Sequence, residues 1–153
     1  MPDSRYHPAA MTLQDLFLTA NETERELARD LGVSLVDYRA LSTLTASGPA
    51  TVGQLAEDLG ATPATTSAMV DRLESRGYVT RARSAEDRRN VHVSATPAAC
   101  VEIRALMRPL LKDADSYLKA LPAADQEVVT DFLTASHHLM SAHLRVLSSK
   151  DTP

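Results

Sequence analysis

The chain has 153 residues, of which 44% are apolar and 24% charged, with a formal charge of −4 and a single cysteine. That size and balance fit one compact domain with flanking helices, and no run approaches the ~20 apolar residues of a membrane span. Cys100 alone excludes a disulfide framework and a multi-cysteine metal site, and the opening MPDSRYHPAAM lacks the basic-then-apolar order of a secretory signal, which predicts a cytoplasmic protein.

Thr12-Leu13-Gln14-Asp15 resembles a capping box, and Leu13, Leu16, Phe17, Ala20, Leu27 and Leu31 follow at helical spacing up to a stop at Gly32. Ser34-Leu35-Val36-Asp37 repeats the opening for a second helix that carries Tyr38, Leu41 and Leu44 as far as Ser47-Gly48-Pro49. Thr51-Val52-Gly53-Gln54 is a third capping box, ahead of a short stripe of Val52, Leu55, Ala56 and Leu59 before Gly60. Thr62-Pro63 opens a fourth helix, with Thr as N-cap and Pro where its missing N–H costs nothing. Met69, Val70 and Leu73 are its buried side, and Gly77 ends it.

After Gly77 the period drops from 3.6 to 2. The segment 78–83 reads as a strand, and Val91, Val93 and Ala95 alternate with polar neighbours in a second. The polar stretch 84–89 between them is the tip of a β-hairpin. Thr96-Pro97 repeats the N-cap and proline device for a helix through Val101, Leu106, Leu110 and Leu111, which Pro109 is expected to kink or interrupt. Leu121-Pro122 starts the last helix, with Val128, Val129, Phe132, Leu133, Leu139, Met140, Leu144 and Leu147 as its stripe.

The charge is unevenly spread. Thirteen of the sixteen cations are arginines, and Arg72, Arg76, Arg81, Arg83, Arg88 and Arg89 fall within eighteen residues. A short helix, a turn at Gly60-Ala61-Thr62 and a second helix make a helix-turn-helix, whose second helix can lie in a major groove. The solvent side of that helix would show Ala64, Thr65, Ser67, Ala68 and Arg72, small or hydroxylated groups that permit close approach to base edges and phosphates. A plain helical hairpin packed in a core is the alternative. It leaves that small polar face and the downstream arginines unexplained. A hairpin beside the helix would hold Arg88 or Arg89 toward a phosphate backbone or a narrow minor groove, with Asp87 placed to steer Arg89. A solvated loop with an incidental ion pair is the competing reading.

From about Leu35 to Thr96 these residues resemble the MarR family of bacterial winged helix-turn-helix regulators, in TVGQLAEDLGATPATTSAMVDRLESRGYVTR, then DRR, then VHVSATP. The flanking helices match in order and length. The resemblance implies a mainly α fold with a small β-hairpin wing, a DNA-binding lobe over 34–96, and dimerisation helices over 11–32 and 97–148. It implies a recognition helix over 62–76 and a wing over 84–89, with Asp87 and Arg89 as the wing's acid and minor-groove arginine. The DNA-contacting set is then Thr62, Ala64, Thr65, Ser67, Ala68, Arg72, Arg76, Arg83, Asp87, Arg88 and Arg89. Two departures stand out. Ala68 occupies a position where a long polar residue is common, and Ala95-Thr96-Pro97-Ala98-Ala99 replaces the usual Leu-Thr-x-x-Gly.

The DNA-binding middle cannot cover three further amphipathic helices, so a symmetric homodimer reading a palindrome is expected; an intramolecular three-helix bundle is the alternative. The resemblance further implies a repressor released from DNA by a small, often aromatic or phenolic, effector. No cofactor or metal is expected: His137, His138 and His143 lack the i, i+4 spacing of a helical metal pair. Cys100 lies at a helix start where a thiol pKa can fall, which leaves a redox-sensing regulator open beside the reading of a small buried hydrophobe. A winged-helix protein-interaction module is another alternative. No nucleophile elbow or phosphate loop suggests an enzyme.

Overall fold

The computed structural model describes residues 5–83 and 91–148. It has six helices and three short strands among these: α1 (Pro8–Asp30), α2 (Leu35–Ser47), β1 (Ala50–Thr51), α3 (Val52–Leu59), α4 (Pro63–Ser75), β2 (Val79–Arg83), β3 (Val91–Ala95), α5 (Pro97–Lys119) and α6 (Ala123–Ser148). The fold is mainly helical with a small antiparallel sheet. Two compact units divide the chain at residues 107 and 108.

Residues 1–107 contain α1 to α4, the sheet and the first part of α5. Their core joins Ala28 and Leu31 of the α1 end, Tyr38, Ala40, Leu41 and Leu44 of α2, Leu55 of α3, Met69, Val70 and Leu73 of α4, Val79, Val93 and Ile103. Leu41, Leu55, Val70, Leu73 and Val93 are completely shielded from solvent, so this is one apolar centre on which every element of the unit leans. The sheet runs β1-β3-β2, with Ala50 opposite Val93 and Arg83 opposite Val91.

Caps set most of the element boundaries. Ser34 and Asp37 form a reciprocal box at α2, and Thr51 and Gln54 form one at α3. The Thr62 hydroxyl accepts from the Thr65 N–H at 3.2 Å, and that of Thr96 accepts from Ala99 at 3.2 Å. Three expectations need correction. The helix α1 does not start at Thr12: it begins at Pro8, with the His7 imidazole accepting from the Ala9 N–H at 3.1 Å, and Thr12 sits within it, bonded to the Pro8 carbonyl. An imidazole acceptor falls outside the usual Ser, Thr, Asp and Asn signal. The helix α5 is not interrupted at Pro109; the lost N–H removes one bond from a helix of 23 residues that is otherwise continuous. A third strand, β1, joins the expected hairpin. At two residues it is too short to show any alternation.

Residues 108–153 hold the rest of α5 and all of α6. Ser136 is buried, with its hydroxyl donating to the Phe132 carbonyl at 2.7 Å. Large apolar side chains stand in solvent: Leu110, Leu111 and Tyr117 on α5, and Val128, Phe132, Leu133, Leu139 and Met140 on α6. None of the described helices is long and apolar enough to cross a membrane.

Candidate nucleic-acid interface

The pair α3 and α4 is joined by Gly60-Ala61-Thr62. Gly60 has φ 61°, and its N–H and that of Ala61 return to the last turn of α3, at Glu57 and Ala56. A left-handed residue there reverses the chain in the fewest steps. Thr62 then caps α4, and its hydroxyl shares a 2.9 Å hydrogen bond with that of Thr65. On α4 the buried side is Thr66, Met69, Val70 and Leu73. At about 100° per residue, Ala64, Ala68, Asp71 and Ser75 lie opposite, and all four are exposed. Thr62 and Thr65 are exposed too, while Ser67 is half-buried. The face expected to meet a duplex is therefore outward and made of small groups over its first half, with the Asp71 carboxylate further along.

The cations of this region are less free than the sequence suggested. Arg72 grips Asp37 of α2 with two bonds, Nε to Oδ2 at 3.1 Å and Nη2 to Oδ1 at 2.5 Å. Burial pushes the Asp37 carboxyl up, but hydrogen bonds from Arg72 and Ser34 outweigh it and hold the group below its ordinary value. The same bond to Asp37 raises the Arg72 pKa. Arg76, the C-cap of α4, donates from Nη1 to the Gly32 carbonyl at 2.9 Å and lies 5.3 Å from the centre of the Tyr78 ring.

Arg81 of β2 reaches back to α4. It donates to Asp71 at 2.5 Å and also to Glu74. Partial burial disfavours its charge, yet the two carboxylates hold it firmly protonated. Asp37 and Arg81 were missed as members of the site. Asp37 looked like an ordinary capping acid, and its partner lies 35 residues away. For Arg81 a signal did exist: Asp71, Glu74 and Arg81 stand in the motif stretch DRLESRGYVTR.

Arg83 is exposed at the end of β2, where the ladder closes opposite Val91. The two strands thus bracket the expected wing. Residues 84–89, with Asp87, Arg88 and Arg89, lie outside the described residues. Two shallow clefts occur on the described surface. One is lined by Glu24, Arg39, Ser42, Thr43, Asp58 and Leu59; the other includes Gln54, Glu57 and Asp58. Both carry acids, and Arg39 is already bonded to Glu24 at 2.8 Å, so neither suits an anion. Cys100 is half-buried, with the Thr45 hydroxyl 3.8 Å from its sulfur.

The profile of the MarR family matches residues 23–91. The uncharacterised HTH-type transcriptional regulator YcgE of Bacillus subtilis is 30% identical over 120 residues, which is 78% of each chain. Among solved structures, the transcriptional regulator Tm0710 of Thermotoga maritima superposes with a TM-score of 0.65 at 22% identity, covering 90% of this chain and 97% of that one. NadR, solved in complex with 4-hydroxyphenylacetate, superposes with a TM-score of 0.59 at 18% identity, covering 88% and 96%.

Proposed function

Because the chain belongs to the MarR family of DNA-binding transcriptional regulators, we propose that it acts as a homodimeric, ligand-responsive repressor on a palindromic operator. In this reading α4 enters the major groove. Thr62, Ala64, Thr65, Ser67 and Ala68 approach bases and phosphates, while the wing at 84–89 rests in or over the minor groove through Arg89, steered by Asp87, with Arg83 and Arg88 toward phosphates. The observation that carries the reading is the outward, small-residue first half of α4 behind a tight Gly60 turn. The exposed apolar side chains of α5 and α6 support the homodimer, since a second copy would remove them from water.

Selection of duplexes from a random pool tests the operator. A palindromic consensus with half-sites about one helical turn apart is expected, and an asymmetric consensus would rule out symmetric binding. In a gel shift with the selected duplex, Arg89→Ala should weaken binding; undiminished affinity would remove the wing from the mechanism. An aromatic or phenolic carboxylate effector belongs to the same reading, supported by the NadR complex. Titrating 4-hydroxyphenylacetate into the protein–duplex complex should release DNA if that compound belongs to the effector class, and continued retention would exclude it.

A further inference from the structure

We propose that Arg72 and Arg76 are positioning residues, which fasten the recognition helix to the corner between α1 and α2 and set its pose without themselves touching DNA. The inference rests on the reading of α4 as the DNA-contacting helix. Both arginines were expected to be DNA contacts, and both are already engaged in the free chain.

Arg72 spends the fork of its guanidinium on both oxygens of Asp37. That two-pronged geometry is the strongest an arginine makes with a carboxylate. The Asp37 side chain is only 3% exposed. If Arg72 left for a phosphate, a charge would be stranded in the interior, whereas the new bond to phosphate would be weakened by salt.

One turn further on, Arg76 donates to Gly32, just beyond the end of α1, and lies beside the Tyr78 ring, whose hydroxyl meets the Leu31 carbonyl at 3.4 Å. A cation at such a helix end suits both the carbonyls and the helix dipole. Spaced four residues apart, the two arginines hold one flank of α4 at two points along its axis. The corner they grip is secured in turn to α1, because Arg39 of α2 bonds Glu24 at 2.8 Å and Asn21 at 3.2 Å. Movement of the corner would therefore carry α4 with it.

The test measures binding of a selected duplex across a salt series. Asp37→Asn, Arg72→Lys and Arg76→Gln should each weaken binding about tenfold, with the slope of log K against log salt unchanged from wild type. Asp37→Asn combined with Arg72→Lys should be no worse than either single change. A phosphate contact gives the opposite pattern. Arg72→Lys would then keep its affinity, Asp37→Asn would bind as well or better, and Arg76→Gln would reduce the slope by about 0.9; any of these overturns the proposal for the residue concerned. Arg76→Gln leaves no buried charge behind, so its result stands even if an Asp37 variant folds poorly. Should the wild-type chain retain no duplex, the DNA reading of α4 falls by itself. Amide exchange along residues 63–75 in the free protein then decides the fastening: faster exchange in Asp37→Asn and Arg76→Gln upholds it, and unchanged exchange overturns it.

Discussion

A carboxylate as shielded as Asp37 has given up its water, and the Ser34 N–H and the Arg72 guanidinium stand in for it. Removing one side of that exchange is costly. Asp37→Asn should lower stability by about 1–3 kcal/mol in urea unfolding, at the lower end because Arg72 is half exposed and can rehydrate. The sign with pH follows from the lowered Asp37 pKa. Its contribution is complete above the unfolded value of about 4 and fades as acid takes the pH through the lower folded value. The gap between wild type and Asp37→Asn should therefore be constant at neutral pH and close in acid; a gap that widened in acid would contradict the assignment. Thr66 is the converse case. Its hydroxyl is buried on α4 and has no hydrogen-bond partner among the described residues. Thr66→Val keeps the shape and removes the stranded group, so the melting temperature should rise, with a gain of about 1 kcal/mol.

At the scale of elements, the turn between α3 and α4 depends on one backbone conformation. An added Cβ at Gly60 would meet nothing within 4 Å, so Gly60→Ala is penalised by its φ of 61° alone. A loss of about 1 kcal/mol is expected, with Gly60→Asn milder, as thermal unfolding of the two variants will show. Such turns and caps were legible because their chemistry is local: Ser34, Thr51, Thr62 and Thr96 each stand directly before a helix and accept from the N–H three residues ahead. Contacts made by tertiary folding were not. Nothing near Arg72 or Arg76 reveals partners 35 and 44 residues away, so exposed arginines on a helix expected to face DNA read as phosphate contacts. The two residues of β1 stayed hidden for a different reason, since their pairing depends on where β3 lies.

For the whole molecule, the proposed homodimer gives a sharp expectation. Val128 is 67% exposed and Leu139 is 71% exposed on α6, high values for side chains of this type. Light scattering at micromolar concentration should give twice the chain mass, and the melting temperature should rise with protein concentration. Val128→Glu with Leu139→Glu should shift the mass toward the single chain while far-UV circular dichroism stays helical. A single-chain mass for the wild type would refute the dimer. The charge pattern fits the proposed division of labour. Residues 72–89 hold six arginines and three acids in a chain of net −4, so the acidic excess lies in the rest of the sequence.

Thr51 holds two posts at once: it pairs with His92 in the sheet and caps α3 with its hydroxyl. No linker separates the strand from the helix, so there is no slack to absorb an extra residue. At this junction the length of the chain is therefore fixed as firmly as the identity of Thr51. An insertion directly after Thr51 would part the cap from the strand, so α3 would lose either its N-cap or its register with the sheet.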